Sequence, residues 1–505
     1  MKLVPVFIFI LALGILISCR HPGSEPAISL RDFSNDTIQL VNHFCGKCHG
    51  VPSPDLLDKN SWSRSVLPNM AARLGFKSNS YNPIARLDML EQTLIQNAKV
   101  YAESPMVTAH DWQRIQTWYE SHAPDSLIIP QIKTTAQTLF DVIPLGDRIQ
   151  SPMVTLLNAD TISKKIKVGL ENGIIYSYDL QFSVKDTFNL KTTPIDYYTD
   201  QENEYILCVG ILYPSEQKLG SLIRLNKSNP QVLVRDLHRP VHFLFTDFGH
   251  EHPGNVLISD FGYETGELIS YKFSHQDLDP KPVIWSTLPG AVKTCRADVD
   301  GDGKQEMIAL FSQGNEHVSV FDDSMKENVI LRFPPVHGSC DLDVADMNGD
   351  GHPDLILSNG DNADYTPVIK PYHGISIYLN RGHYEFQKSD FIAYPGVLHS
   401  VVEDFDLDGD EDILSTSYFP GDAMHRYPAL ILFESIHGSY QAKTFKQGNF
   451  GKWMTVYKMD VDQDGDQDIL LGSFLLNQFL LEGKREDWRK HGLMLLKNKK
   501  IKSLK

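Results

Sequence analysis

Asp298-Val-Asp300-Gly-Asp302-Gly303-Lys-Gln-Glu306 runs straight into the apolar stretch Met307-Ile-Ala-Leu310, and near-copies of it recur three more times. They are Asp346-Met-Asn348-Gly-Asp350-Gly351-His-Pro-Asp354, Asp404-Phe-Asp406-Leu-Asp408-Gly409-Asp-Glu-Asp412 and Asp460-Val-Asp462-Gln-Asp464-Gly465-Asp-Gln-Asp468. Side-chain oxygens at loop positions 1, 3, 5 and 9, with glycine at 6 for a tight turn, make a hard-oxygen cage suited to calcium. Position 7 would add a backbone carbonyl. The flanks are short apolar or alternating runs, such as Val344-Ala345 before and Leu355-Ile-Leu357 after. Each loop therefore joins two strands, not two helices.

Weaker copies extend the series backwards from Asp247, Asp196 and Leu157, keeping the strand pattern while losing the acids. Starts at 157, 196, 247, 298, 346, 404 and 460 are 39 to 58 residues apart, the size of one four-stranded blade. Seven repeats predict seven blades over residues 138–496. The pattern resembles the FG-GAP or VCBS repeats of integrin-α-like β-propellers, a resemblance that implies calcium in the four acidic loops.

A different chemistry opens the chain. In Cys45-Gly-Lys-Cys48-His49 two thiols lie three apart and a histidine follows. That spacing reaches the two vinyl groups of a haem and offers the imidazole to its iron. No second Cys/His pair stands at zinc-site spacing. Around it, helical patterns are expected over 35–44, 62–74 with Ser61 as N-cap, 84–101 and 111–122. This all-α region, residues 28–124, resembles a class I type cytochrome c with haem c on Cys45 and Cys48 and His49 as an axial ligand. Such a domain needs a sixth ligand, usually methionine. Met106, before the last helix, suits simple cytochromes. The phrase Trp62-x3-Val66-Leu67-Pro68-x-Met70-x3-Leu74-Gly75 resembles haem domains fused to repeat propellers, which favours Met70. Met89 reads as a core residue inside the third helix.

Residues 1–18 read as an export signal: Lys2 precedes an apolar run, Val4–Ile17, too short to span a membrane comfortably. Leu16-Ile-Ser-Cys19 resembles the lipobox of bacterial lipoproteins, which implies lipid on Cys19, a tether over 19–27 and anchoring in the bacterial cell envelope, the outer membrane by preference. Of six cysteines, Cys208, Cys295 and Cys340 remain, read as free thiols. A net charge of −17 excludes nucleic acid as a partner. Residues 125–137 read as a linker and 497–505 as a basic tail.

The expected fold is thus multidomain: a small all-α cytochrome c domain followed by an all-β seven-bladed propeller. Three functions suit it. One is an electron-transfer protein whose propeller docks a redox partner. The second is a cytochrome-linked oxidoreductase with a small-molecule substrate on the propeller. The third is a glycan- or protein-binding module with a haem sensor. No Ser-His-Asp order, phosphate loop or H-E-x-x-H is present. The polar phrases ending in His242, His337 and His399 are candidates to line the channel, and Gln313–Glu316, Asn359–Tyr365 and Lys370–Gly374 read as unusual polar loops.

Overall fold

The computed structural model describes residues 36–77, 81–145, 153–160, 163–200, 203–225, 230–246, 254–274, 277–322, 324–362, 366, 368–419, 427–475 and 492–500. The export signal, Cys19, the tether, most of the loop from Asp247 and residues 363–365 lie outside them.

Among the described residues, four helices come first along the chain. In α1 (Thr37–Cys45) the Asp36 carboxylate accepts the backbone N–H groups of Ile38 and Gln39 at 2.9 and 3.1 Å, a side-chain N-cap. The second helix, α2, is capped by Asp58, not by Ser61, whose own N–H and hydroxyl bond to that aspartate. It runs helically over Lys59–Ser61, in wide π geometry over Trp62–Val66, and helically again over Leu67–Arg73. Pro68 explains the wide turn: it has no N–H to give, and its ring would press on the carbonyl four residues back.

The third helix, α3, is shorter than the expected 84–101, covering Met89–Ala98 between the Asp88 cap and left-handed Lys99. Its buried face is Glu91 and Ile95, while Met89 is 83 % exposed, so Met89 is not a core residue. A carboxylate on the inner face broke the apolar period, because α3 packs on polar loops of the propeller. The last helix, α4 (Ala109–His122), starts at a Thr108 cap and buries Trp112, Ile115 and Tyr119.

Seven antiparallel sheets follow. Their innermost strands are Val154–Asp160, Thr193–Thr199, Pro240–Thr246, Ala291–Ala297, Ser339–Ala345, Val397–Glu403 and Trp453–Met459 (blades I to VII). Each contacts the next and the last contacts the first, so the sheets close into a seven-bladed propeller. Second strands such as Glu306–Phe311 and Asp412–Ser417 are buried along their whole length. Sandwiched between neighbouring blades, Glu306–Phe311 reads as a nearly continuous apolar run, whereas Asp412–Ser417 buries Ser415, Thr416 and Ser417 as well.

The ring is closed by exchange. The outer strand of blade VII is Phe140–Pro144, from before blade I, paired antiparallel with Leu493–Asn498. Two boundaries differ from the sequence reading. Within the expected linker, Thr134–Ala136 pairs in parallel with Ser439–Thr444 as a fifth strand of blade VI. The basic tail begins as strand: Lys497 pairs with Asp462, and beyond it Lys499 reaches Asp141 at 3.1 Å. The loop frame also slips in blades I and II, where Leu157 and Asp196 lie within the innermost strands because the following turns are short.

Candidate functional site

One cavity of about 1090 Å³ joins the helical region to the propeller axis. At its helical end lie Cys45, Cys48, His49, Met70 and Met106 together. Cys45 is the last residue of α1, and the chain turns there as Gly46 N–H bonds back to Asn42 O at 3.1 Å. The ring of half-buried His49 donates from Nδ1 to the Gly50 carbonyl at 2.8 Å. A carbonyl only accepts, so the proton sits on Nδ1 and Nε2 keeps its lone pair. Desolvation holds this imidazole below its ordinary pKa, favouring the neutral form. Burial pushes the free Cys45 thiol up to about 12, and Cys48 is disulfide-bonded in this structure.

Both methionines reach the cleft for a traceable reason. Gly75 sits at φ +85° closing α2, and a Cβ there would strike the Ser104 carbonyl, so only glycine lets the 104–106 segment pack so close. Met106 N–H then bonds Leu74 O at 2.9 Å. The walls are apolar, with Trp62, Val66, Leu67, Trp112 and Tyr119 among them. Their polar handles are satisfied outward: Trp62 Nε1–H donates to Pro54 O at 2.8 Å and Tyr119 O–H to Pro52 O at 3.1 Å.

The helical region is held on the propeller face by apolar and charged contacts. Val336 of the propeller is part of the helical core, with Val368 and Tyr372 packed against it. Arg73 pairs with the buried Glu264 carboxylate at 2.8 Å, and Tyr101 O–H donates to the same carboxylate at 3.3 Å. The Glu91 carboxylate accepts from Ser215 Oγ, Glu216 N (2.8 Å) and Gln217 Nε2 (2.9 Å). These hydrogen bonds override the desolvation that would raise its pKa, and lower it.

Down the axis the cavity is lined by Asp196, His242, Lys293, Asp341, His399 and Thr455. Lys293 Nζ lies 2.7 Å from Asp341 Oδ1, and His399 Nδ1 lies 3.1 Å from Oδ2 of the same carboxylate. Burial alone would raise Asp341, but Lys293 and His399 hold it well below the usual range. Asp196, desolvated, is pushed up to about 7, and desolvation pushes His242 down to about 3. His337 differs from His242 and His399. It stacks on Phe333 with ring centroids 4.4 Å apart and is not among the lining residues. The expected polar loops act as braces: Glu316 accepts Gly338 and Ser339 N–H groups, Lys370 bonds Asn362 at 2.9 Å, and Asn359 Nδ2 bonds the His337 and Tyr372 carbonyls.

The acidic loops stand at the other ends of the innermost strands. Seven residues at about 3.3 Å each put them roughly 20 Å from the helical face. Carboxylates of Asp298, Asp300 and Asp302 converge within 4.8 Å of one another, as do those of Asp404, Asp406 and Asp408 and of Asp460, Asp462 and Asp464. In every copy the first aspartate bonds two loop N–H groups, including that of the glycine at position 6. Asn348 bonds Asp350 in the second loop. The ninth-position acids also brace the loops. Oxygens of Glu306, Asp354 and Asp468 each accept the N–H of the loop's second residue, and Asp354, Asp412 and Asp468 accept one from the third strand or the residue at its end. Burial first, then loop acids, pushes Asp412 and Asp468 up to about 7. Buried Asp406 Oδ1, Asp412 Oδ2 and Asp464 Oδ2 have no hydrogen-bond partner, so the donor set fits a divalent cation.

Cys208, Cys295 and Cys340 are free thiols, as expected, although Cys295 and Cys340 are only half-buried. No described helix is long and apolar enough to cross a membrane.

Comparison with known proteins bears on the propeller. No curated protein matches the chain. Among solved structures, the chain is similar to the extracellular domain of a protein assigned as a hybrid two-component system of B. thetaiotaomicron, at 10% identity and a TM-score of 0.45. The match covers 72% of this chain and 42% of that one, so this chain spans less than half its length. A second likeness is to the Myceliophteria thermophila Cps50 (Swd1) β-propeller domain, at 10% identity and a TM-score of 0.42, covering 71% and 98% of the two chains. A third is to a Xanthomonas campestris gluconolactonase, at 13% identity and a TM-score of 0.30 over 41% and 69%. Residues 298–357, which span the outer three strands of blade IV, the first strand of blade V and most of its second, match the FG-GAP-like repeat family.

Proposed function

We propose that this protein is an exported, lipid-anchored haem c electron carrier of the bacterial cell envelope, with Cys19 as the lipid site and calcium in the propeller loops. The observation that carries the reading is the shared cavity. Cys45, Cys48, His49, Met70 and Met106 line one apolar-walled cleft, and His49 Nε2 is left as a lone-pair donor by the Nδ1–Gly50 bond. Haem c bound there would supply one-electron storage. Cys45 and Cys48 would hold it covalently, the latter once reduced, His49 would ligate iron, and Met70 or Met106 would take the sixth position. Asp298, Asp300, Asp302, Glu306, Asp346, Asn348, Asp350, Asp354, Asp404, Asp406, Asp408, Asp412, Asp460, Asp462, Asp464 and Asp468 would hold calcium, the ninth-position acids Glu306, Asp354, Asp412 and Asp468 bracing the loops as well. A redox protein docking on the surface would exchange the electron.

A second reading, a cytochrome-linked oxidoreductase, is favoured by one feature: the cavity continues from the cleft to the polar residues on the propeller axis. A substrate there would be within the same enclosure as the cofactor.

The test is an absorption spectrum, oxidised and reduced, of protein matured with haem, for wild type, Met70→Ala and Met106→Ala. A c-type spectrum whose methionine–iron band disappears in one variant supports the reading and assigns the ligand. Protein that carries no covalent haem after maturation refutes it.

A further inference from the structure

Each of the seven innermost strands skips one residue against its neighbour at the same place. The pairing resumes at Leu156, Asp196, His242, Lys293, Asp341, His399 and Thr455. Such a bulge re-aims the side chains beside it. Leu156 turns into the core, and the other six line the cavity. Because the strands contact one another in a closed ring, these six stand at one level around the axis.

Their hydrogen-bonding roles are fixed by their neighbours. Thr294 N–H points at His242 Nδ1 (3.4 Å), so Nδ1 accepts and Nε2 carries the proton, facing Asp196 Oδ2 at 3.9 Å. The Asp341 carboxylate accepts from His399 Nδ1, which leaves His399 Nε2 as an acceptor in the neutral ring. Lys293 gives one N–H to Asp341 and keeps two. The ammonium of Lys293 is matched by Asp341, while Asp196 and, two residues along from Asp341, Asp343 are further carboxylates on the cavity wall. An anion entering would meet Asp341 and Asp196, and a cation would meet Lys293. Tyr418, Phe419 and Tyr457 line the same cavity and offer apolar faces beside the ring.

We propose that this ring binds a small neutral polyhydroxyl molecule of aldose or alditol size, its hydroxyls bridging the Lys293 and His242 donors to the His399 and Asp196 acceptors. The inference deepens the reading of the propeller as the substrate-bearing part and rests on it for function, whereas binding itself requires no haem.

The experiment is isothermal titration calorimetry on the full chain. D-Glucose, D-galactose, D-mannose and D-mannitol are the neutral probes, and D-gluconate and D-glucosamine are the charged counterparts. At least one neutral probe is expected to saturate with a Kd of about 1 mM or tighter, and the charged counterparts to bind at least about tenfold more weakly. His399→Leu, which leaves the Lys293–Asp341 pair intact, is expected to weaken binding about tenfold, and Lys293→Met by more. Should Lys293→Met fail to fold, His399→Leu decides. Saturation by none of the neutral probes, preference for gluconate or glucosamine, or unchanged binding in folded His399→Leu would each overturn the proposal. The heat signal is independent of the haem spectrum, so either reading can fail while the other stands.

Discussion

At the rim where the innermost strands end, blades IV to VII repeat one loop four times. At the rim where they begin, the ring positions hold a carboxylate, an imidazole, an ammonium, a carboxylate, an imidazole and a hydroxyl in turn. The first rim turns its polar groups inward on each loop, with aspartates wrapping their own backbone N–H groups. The second spends them between blades and on the helical region, as in Lys293–Asp341 and Glu91–Ser215. Repetition marks what those four blades share, and departure from it marks what the molecule does once.

Four experiments probe that contrast. The largest effect is expected at the acidic rim. A site held at 100 times its Kd adds about 2.7 kcal/mol, so four such loops would contribute on the order of 10 kcal/mol. Chelation by EGTA should therefore lower the melting temperature strongly, and Asp464→Ala should remove part of the loss. An unchanged melt would leave the loops as acidic turns without a cation.

At the other rim, Asp341→Ala strips Lys293 and His399 of their shared acceptor. Leaving a largely buried charge unpaired costs about 3–5 kcal/mol, and urea unfolding of this variant should show it. The double variant Lys293→Met/Asp341→Leu should recover most of that loss. Glu91→Ala removes three hydrogen bonds between the helices and the propeller and is expected to cost about 2–3 kcal/mol. Hydrogen exchange should then rise over α3 while the blades stay protected. Equal exchange in both regions would mean that the carboxylate does not hold them together.

The smallest effect is a pH slope. Glu316 is pushed up to about 7, burial outweighing its bonds to Ser339 and Gly338. Its folded pKa lies above the unfolded value of about 4.3, so the folded state keeps a proton that the unfolded chain has released. This contribution to stability is greatest below the unfolded pKa and is lost as pH rises towards 7, on the order of 1 kcal/mol per pH unit. Glu316→Gln should make the fall in stability between pH 5 and 7 less steep, the rest belonging to Asp196, Asp412 and Asp468. A slope unchanged from wild type would place the titration elsewhere.

Much of this architecture is legible in the sequence because periodic physics repeats itself. The acids, the glycine and the following apolar strand recur together, and they locate four blades without further help. In blades I and II the turns are shorter, so a fixed loop length places Leu157 and Asp196 in a loop although both lie in the innermost strands. The ring is hidden for a simpler reason. Residue type groups His242 and His399 with His337, although the equivalent of both in blade V is Asp341. Counting back five residues from the first acid of each good loop gives Lys293, Asp341, His399 and Thr455, a signal available from the chain alone. The helix expected over 84–101 is longer than the one that forms because Leu87 and Leu90 fit its period, whereas the buried face belongs to Glu91 and Ile95. A partner made of polar loops cannot be inferred from apolar spacing.

The strand exchange that closes the ring has a consequence in time. Phe140–Pro144 leaves the ribosome about 350 residues before its mate Leu493–Asn498, which at about 5–20 residues per second is a wait of roughly 20–70 s. Throughout it, that edge has no partner, and an unpaired edge is a template for other chains.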